Sequence, residues 1–576
     1  MPSIELCLGQ AYPVAFSGFR TVLEALDDHG LTIRQRLLAR YPAEATVLTP
    51  QWCDADGATI ASVALTPSER RLHPESEQTF RVLQAAADIV IMALSDHRVP
   101  IRLRAAGAAD VPSIRGLMRL VEIARFRGLA DLITISGLAD RSLLSQTLIG
   151  QGFEPPEATQ LADRLTLAED TDGHPLPDPP GSGLLPRLRD EQADAADRIA
   201  IAVEAGRQGF FQSDLEVMAF AALTGLRLCP PDQHIDGVTI ADTQRRLGLT
   251  SSWTEAVEFE AGVMRGAADV RAFFRKLLGI VRSFRRQNPQ AIDEFTKIAE
   301  NESVSVELRA QAMLYRALTK VKMMRNPAAG RSEAEQGLSL LDKADTSDTV
   351  ERERGWLYNV RALCAFSEHD YGNATKDEKA ALACVAGKSD TSSLHLKINL
   401  VSNISVLQER AGRPAAALNT WERFRNVGTA WDTIFRKHHS YRTAGLALAA
   451  GDAERAVEGY SDSLAACDTL DDAFHRAAIG LELGALRDPA AHYRAAIDHA
   501  NQLGDPYQHA LAEAGLALAE GRVPVETERA RLSLTYPRQA GELCAAMQSG
   551  DPQRIGALLP KPRTKLNRPF DHINLF

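Results

Sequence analysis

Several features that mark catalytic or secreted proteins are missing from this chain of 576 residues. Its seven cysteines are scattered and no two stand at CxxC spacing, which excludes a zinc ribbon and a thioredoxin-like motif. No P-loop, GxSxG, HExxH or GxGxxG pattern occurs at a useful position, so nucleotide hydrolysis and triad hydrolase chemistry have no support. An odd number of scattered cysteines is typical of a reducing compartment.

Long hydrophobic runs, a leader pattern and an excess of positive charge are also lacking. Apolar stretches such as 85–94 are much shorter than the roughly 20 residues of a membrane span, and the N-terminus does not resemble a signal peptide. With 65 Lys and Arg against 75 Asp and Glu, the net charge is −10. This balance disfavours a dedicated nucleic-acid or membrane-surface protein. We therefore expect a cytoplasmic protein without a membrane partner, for which RNA is a disfavoured ligand.

The length and the 45% of apolar residues indicate two to four globular domains. The local pattern of residue types divides the chain into two parts. Residues 1–240 alternate short β-prone runs with helical stretches and predict an α/β domain. Runs at 47–52 and 59–65 flank Asp56-Gly57 and predict a hairpin, and 88–94 predicts a buried strand. The proline-rich segment 174–186 predicts an exposed loop or linker, which is either a domain boundary or an insertion.

The chain from 290 to 535 is almost continuously helix-forming and contains a repeat. Turn glycines at 412, 451, 484 and 521 are spaced by 39, 33 and 37 residues. A small residue stands seven positions before each of them, which allows a partner helix to approach closely. Those four residues are Ser405, Ala444, Ala477 and Ala514. On the second helices, the small residues are Ala417 and Ala456, and the aromatic residues are Trp421, Tyr460 and Tyr493.

With these positions the segment resembles the tetratricopeptide repeat (TPR) family, whose period is roughly 34 residues. The resemblance implies an all-α solenoid of five to six helical hairpins, with a groove lined by the first helices that binds a protein or peptide. In that family, Asn, Lys and Arg on first helices often hold ligand backbone or carboxylate groups. The matching residues in this chain are Asn359, Asn399, Asn403 and Arg442.

A second, weaker resemblance concerns residues 100–235. The stretch 194–230 predicts a helix, a short strand at 209–213, a helix opened by Asp214 and a strand at 226–229. In this order it resembles the end of a PIN-like nuclease domain, which implies a Mg²⁺ or Mn²⁺ site built from acids. The candidate catalytic residues are Asp110, Asp140, Asp194, Asp197 and Asp214, with Asp110 and Asp214 as candidate metal ligands. Helix capping by Asp214 and solvation of Asp194 and Asp197 explain the same residues without a metal.

Two basic segments complete the pattern. We expect a helical connector at residues 241–289, in which 270–287 carries basic residues around an apolar stripe. We expect a C-terminal helix followed by a basic, proline-containing tail at residues 536–576.

Three functions follow from these patterns. The first is an adaptor or regulator whose TPR-like repeats bind a protein or peptide, with no cofactor. The second is a Mg²⁺- or Mn²⁺-dependent PIN-like ribonuclease with a TPR targeting or regulatory domain. The third is an accessory protein that presents a peptide to a modifying enzyme. The sequence leaves open whether the chain is an enzyme.

Overall fold

The computed structural model describes residues 3–8, 16–54, 57–64, 77–104, 106, 109–135, 184–211, 215–249, 261–423, 425, 432–524 and 528–560. The chain forms two compact units. The terminal unit comprises Met1–Leu65, Ser76–Asp178 and Arg425–Leu575, and the central unit comprises Thr66–Glu75, Pro179–Phe424 and Phe576. In the described part of the chain, no helix combines the length and the apolar character that crossing a membrane requires.

A small parallel sheet lies in the N-terminal part of the terminal unit. Its strands are β1 (Ile4–Cys7), β2 (Ile101–Arg104) and β3 (Ile133–Ile135), in the order β1, β2, β3. Ile4 pairs with Ile101, and Ile101 with Ile133. Alternate side chains along each strand are apolar and buried, as expected for a sheet with one face packed in the core. The helices are α1 (Ser17–Asp28), α2 (Ile33–Arg40), α3 (Pro42–Leu48), α4 (Glu77–His97) and α5 (Val111–Phe126).

The predicted strands of this region are wrong. Residues 47–52 fall in the end of α3 and a short 3₁₀ turn, and Ile60–Ser62 form another 3₁₀ turn, so no hairpin forms across the described part of 47–65. The run 88–94 belongs to α4, where most of its residues are buried. A short apolar run suits a buried helix as well as a buried strand, and the 21-residue length of α4 places this one in a helix.

The central unit is entirely helical in its described residues. Its helices are α6 (Leu184–Arg189), α7 (Ala195–Phe211), α8 (Leu215–Leu228), α9 (Gly237–Arg246), α10 (Ala267–Phe284), α11 (Asn288–Ala299), α12 (Val306–Leu318), α13 (Pro327–Leu341), α14 (Asp348–Ser367), α15 (Tyr371–Val385), α16 (Thr391–Arg410) and α17 (Pro414–Glu422). From α10 onward the helices pack as consecutive hairpins.

Three expectations for this unit need correction. The strands predicted at 209–213 and 226–229 are absent, because Gly209–Phe211 end α7 and Leu226–Leu228 end α8; Gln212 and Ser213 are outside the described residues. Both strands on which the PIN-like resemblance depended are therefore lost. Leu184 already begins α6, so the loop predicted for 174–186 ends earlier than expected, and its residues before 184 are also outside the described part.

The predicted basic connector is the first helix of a hairpin. In α10 the apolar stripe is buried, and Arg275 and Arg282 each contact Glu294 of α11 at 2.9 Å. Arg271 donates to the backbone oxygen of Leu226 at 3.0 Å. The basic side chains of this helix are therefore largely engaged within the unit.

The C-terminal part of the terminal unit continues with hairpins. Its helices are α18 (Asp432–Ala449), α19 (Ala453–Thr469), α20 (Ala473–Gly484), α21 (Pro489–Leu503), α22 (Pro506–Ala519), α23 (Pro537–Ser549) and α24 (Pro552–Leu558). The hairpins thus begin at Ala267, before residue 290, and reach Leu558. Residues 561–576, with most of the predicted tail, lie outside the described residues.

The repeat positions behave as helix-packing positions. All six small residues are fully buried, as are Trp421, Tyr460 and Tyr493 to within 4%. Gly412, Gly451 and Gly521 adopt positive φ after a helix, which makes them turn glycines. Gly484 does not: it ends α20 and faces Tyr493, where a Cβ would approach the ring to 2.7 Å. Its role is close packing, and the turn follows at Asp488.

Within the terminal unit, α4 and α5 dock on the hairpins through polar side chains. Arg81 donates to the backbone oxygen of Leu470 at 2.8 Å, and Gln84 and Arg119 donate to that of Leu503 at 2.9 and 2.8 Å. Leu470 follows α19 and Leu503 ends α21. Cationic and amide donors thereby satisfy the open carbonyls of two helix C-termini.

Candidate partner-binding site

Three of the four predicted partner-binding residues meet in the central unit. The side-chain amide of Asn403 donates to Oδ1 of Asn359 at 3.0 Å and to Oδ1 of Asn399 at 3.1 Å. It also donates to Oε1 of Glu378 at 3.0 Å. We call these four residues the amide cluster. Asn359 lies on α14, Asn399 and Asn403 lie one turn apart on α16, and Glu378 lies on α15.

Some hydrogen-bonding groups of the amide cluster have no partner within the cluster. An amide NH₂ has two donor hydrogens, whereas Asn403 has three acceptors within reach. Among the described residues, no partner is found for the Nδ2 groups of Asn359 and Asn399 or for Oδ1 of Asn403. All three asparagines are half-buried, so these groups reach solvent. The cluster therefore offers two amide donors and one acceptor to a ligand.

Glu378 forms the closed inner side of the cluster. It is 3% exposed, and burial raises its pKa well above the ordinary value, with the hydrogen bond from Asn403 opposing the shift. The carboxyl group is consequently biased toward its neutral form. Its neighbour Asp377 is engaged by Arg361 through two bonds of 2.6 and 2.9 Å. The surroundings of the asparagines are thus polar but carry little unbalanced charge.

Further polar bridges join the same set of first helices. Thr349 of α14 donates to Glu307 of α12 at 3.1 Å, and Gln311 of α12 donates to Glu353 of α14 at 3.1 Å. These contacts hold adjacent first helices in register. The amide cluster differs from them because its outer amide groups stay open.

Arg442, the fourth predicted residue, is not a member of the amide cluster. It lies on α18 in the terminal unit and is 5% exposed. Its burial suits a packing role in that unit better than a solvent-facing contact.

Asp110, the first candidate catalytic acid, is buried and accepts four hydrogen bonds. Its carboxylate caps α5 by accepting from the backbone of Ser113 at 2.9 Å. It also accepts from the backbone of Phe16 at 2.7 Å and of Gly18 at 3.1 Å, and from the hydroxyl of Ser17 at 3.1 Å. These four donors hold the start of α1 against the start of α5.

The remaining acids have separate local roles. Asp194 accepts from the backbone of Ala196 at 2.8 Å at the start of α7, and Asp197 forms an ion pair with Arg246. Asp110 belongs to the terminal unit, and Asp194 and Asp197 belong to the central unit. Asp140 and Asp214 lie outside the described residues, so the proposed pairing of Asp110 with Asp214 stays a prediction.

The sequence analysis did not identify a buried ionic cluster in the terminal unit. The ammonium group of Lys437 on α18 contacts Glu77 of α4 and donates to Asp472, the residue before α20, at 2.7 Å. His475 lies 2.6 Å from the same carboxylate, and His438 lies 3.2 Å from Glu77. Lys437 is fully buried. Although burial acts to lower it, the two carboxylates raise the pKa of Lys437, which stays charged.

This ionic cluster has the donor set of a metal site but holds its own cation. Glu77, Asp472 and His475 are the group of potential metal ligands that the described residues bring together. The ammonium of Lys437 lies between the two carboxylates and pairs with both. A sequence signal was present, because Glu77, Arg81, Gln84 and Asp88 recur at helical spacing on one face of α4. Nothing in the sequence showed that this face is buried.

The chain matches no family model and no curated protein. Solved structures of low similarity include a signal transduction ATPase with a tetratricopeptide repeat sensor from Pyrococcus horikoshii, at 9% identity and a TM-score of 0.40, covering 90% of this chain and 91% of that one. Aspartyl phosphate phosphatase F from Bacillus subtilis is 11% identical, with a TM-score of 0.34 and coverages of 64% and 95%. The apo quorum sensor NprR from B. thuringiensis is 14% identical, with a TM-score of 0.33 and coverages of 60% and 91%. At TM-scores of 0.40 and below, these likenesses carry no conclusion about function.

Proposed function

We propose that the chain is a regulatory or adaptor protein that binds an extended peptide segment of a partner at the amide cluster. The observation that supports this is the set of open amide groups on Asn359, Asn399 and Asn403. An extended peptide alternates carbonyl acceptors with N–H donors, which is the complement of such groups. Side-chain amides recognise this backbone pattern without requiring a charge on the ligand.

The packing of the cluster favours exchange of a ligand over a permanent internal contact. The three asparagines are half-buried, and the hydrogen bonds inside the cluster hold their side chains in place before a ligand arrives. A preorganised polar group loses less conformational entropy on binding than a mobile one. The neutral bias of Glu378 removes a charge that would repel an acidic segment.

A displayed library of short unconstrained peptides tests the proposal. We expect the full chain to select peptides whose binding weakens about tenfold in Asn359→Ala and in Asn399→Ala, because each loses one or two hydrogen bonds to the ligand. Asn373→Ala is the matched control. Asn373 is an exposed asparagine of α15 that donates to Asp370 at 2.6 Å, outside the cluster.

Binding is measured by fluorescence polarisation with labelled copies of the selected peptides. Equal affinities of the cluster variants and the Asn373 variant would place the ligand elsewhere. Failure of the library to yield any saturable binder would remove support for peptide recognition altogether.

The accessory-protein function and the nuclease function are supported by the sequence alone. The accessory role differs from the adaptor role by a modifying enzyme that would act on the bound peptide, and the same selected peptides would be its probes. For the PIN-like nuclease, Asp110 and Asp214 remain the hypothetical ligands of Mg²⁺ or Mn²⁺, and Asp140 remains a candidate catalytic residue. Because Asp110 accepts four hydrogen bonds, Asp110→Asn tests stability as much as catalysis, so Asp214→Asn is the better variant in a cleavage assay with Mn²⁺.

A further inference from the structure

A cleft in the terminal unit lies between the N-terminal helices and the ends of the hairpins. Its volume is about 510 Å³ with the solvent at its mouth included. One wall comes from α2, α3 and α4, and the other from the turn before α20 and the end of α21. Its charged lining residues are Arg40, Glu44, Arg81, Asp471, Asp472 and Arg476.

The start of α20 presents backbone donors to this cleft. Asp472 caps the helix by accepting from the backbone of His475 at 3.1 Å. Ala473 and Phe474 are the first two residues of the helix and line the cleft. Their N–H groups have no acceptor among the described residues. The N-terminus of a helix with free N–H groups favours an anion through both hydrogen bonds and the helix dipole.

Three guanidinium groups around the same opening have unused donors. Arg81 donates through Nε to Glu44 at 2.6 Å and through Nη1 to Leu470, and its Nη2 has no partner among the described residues. The Nε atom of Arg476 is buried and also lacks a hydrogen-bond partner in the described part of the chain. Arg40 contacts Asp88 through Nε at 3.2 Å, while its side chain stays 46% exposed.

Each acidic side chain of the cleft has a cationic partner. Asp472 is engaged by Lys437 and His475, and Asp471 accepts from Arg476 at 2.5 Å. Glu44 is engaged by Arg81. The formal charges of the lining arginines and acids balance, and the open donors of the cleft are the N–H groups of Ala473 and Phe474 together with the free guanidinium nitrogens. A ligand that supplies acceptors completes the site, and an oxyanion supplies several in one small group.

We propose that this cleft binds a small oxyanion, a phosphate or carboxylate group, between the N-terminus of α20 and the guanidinium groups of Arg40, Arg81 and Arg476. Such a ligand bridges α2 and α4 to the hairpins and therefore stabilises their docking. The T-shaped pair of Phe80 and Phe474, with ring centroids 5.0 Å apart, forms an apolar wall that limits the size of the group. This site is independent of the amide cluster.

Thermal unfolding of the full chain with added sodium phosphate tests the site. Sodium succinate is the carboxylate arm, and sodium chloride at matched ionic strength is the reference, because exposed ion pairs respond to salt alone. We expect a saturable rise in melting temperature with phosphate, succinate or both, and the active arm identifies which source of oxyanion binds. Isothermal titration calorimetry provides the dissociation constant.

Arg40→Gln and Arg476→Gln should weaken the apparent affinity about tenfold, the loss of one charge-assisted hydrogen bond. Arg494→Gln is the matched control, since Arg494 is an exposed arginine of α21 with one acid partner, Glu520 at 2.8 Å, outside the cleft. The exposure of Arg40 makes its variant compatible with folding, which circular dichroism verifies. The proposal is overturned if neither anion exceeds chloride, or if both cleft variants bind as tightly as the Arg494 variant.

Discussion

The amide cluster of the central unit and the ionic cluster of the terminal unit use buried polarity in opposite ways. Asn359, Asn399 and Asn403 are neutral, half-buried and incompletely bonded within the protein. Lys437 and its carboxylates Glu77 and Asp472 are charged, buried and paired with one another. An open neutral cluster can exchange water for a ligand at low cost, whereas opening a buried ionic cluster exposes unpaired charges to an apolar interior. The first arrangement suits recognition, and the second suits holding α4 on the hairpins.

The largest effect is expected from Lys437→Met, which leaves two buried carboxylates without a cation. We expect the terminal unit to lose about 3–5 kcal/mol in its free energy of unfolding. Denaturant unfolding followed by circular dichroism measures the loss, and hydrogen exchange with mass spectrometry locates it in α4, α18 and α20. A triple variant that adds Glu77→Gln and Asp472→Asn should recover most of it. A single variant as stable as the wild type would mean that the ionic cluster does not hold the unit together.

A steric test of the same docking uses Gly504, which has φ +68 and lies against α5. A Cβ at this position would lie 2.8 Å from Cγ2 of Ile123, so Gly504→Ala combines backbone strain with a clash. Gly412→Ala in the central unit is the control, because its φ of +71 is similar and the space around it is open. We expect the Gly504 variant to cost about 1–3 kcal/mol more, measured by unfolding. Equal costs would show that α5 yields easily.

Asp505, the residue that caps α22, provides a pH test of the terminal unit. Burial raises its pKa from 3.8 to about 6, with the Glu122 carboxylate adding to the shift. Because the folded state holds this proton more tightly, the contribution of Asp505 to stability increases as the pH falls through 6. Relative to Asp505→Asn, the wild type should gain about 1 kcal/mol between pH 7 and pH 5. Parallel pH profiles of the two proteins would contradict the raised pKa.

The smallest effect at neutral pH is expected for Glu378→Gln in the amide cluster. Burial raises the pKa of Glu378, so its carboxyl contributes stability at low pH that is lost as the pH rises through the folded pKa. The stability of the wild type relative to Glu378→Gln should therefore fall toward alkaline pH.

For Glu77 we expect stability to depend on pH in the opposite direction. Although burial acts to raise it, Lys437 and His438 hold the pKa of Glu77 below its ordinary value. The stability of the wild type relative to Glu77→Gln should then fall toward acidic pH, because protonation removes the charge that Lys437 requires. Unfolding of the wild type, Glu378→Gln and Glu77→Gln is measured across pH. If the stability difference from the wild type changed with pH in the same direction for both variants, the two clusters would not differ in this way.

The hairpins were predictable from the sequence because their packing rule is local and repeated. Small residues such as Ala444 and Ala477 recur seven positions before a glycine, and both are buried in hairpin packing. Three residues of the amide cluster were predictable in the same way, because they lie on the first helices α14 and α16 of successive hairpins. Arg442 is not part of the amide cluster, because its helix α18 lies in the terminal unit, where Arg442 is buried. Its role in binding stays a prediction.

The strands were mispredicted for a physical reason. Ile101–Arg104 was not predicted as a strand, and it forms β2 because β1 and β3 pair with its two edges. The run 88–94 was predicted as a strand from its composition, and it is part of the 21-residue helix α4, most of whose residues are buried. Strand formation depends on neighbouring strands that are distant in the sequence, and the composition of a segment does not reveal them.

The sequence by itself determined the helical hairpins, their small and aromatic packing positions, and the placement of Asn359, Asn399 and Asn403 on first helices. Each of these depends on contacts within one hairpin or between successive hairpins. Only the tertiary structure decided that α4 and α5 dock on hairpins more than 300 residues later, as the contact between Glu77 and Lys437 shows, 360 positions apart. The ionic cluster and the oxyanion cleft both arise from that docking, because their charged residues become partners only when the two ends of the chain meet.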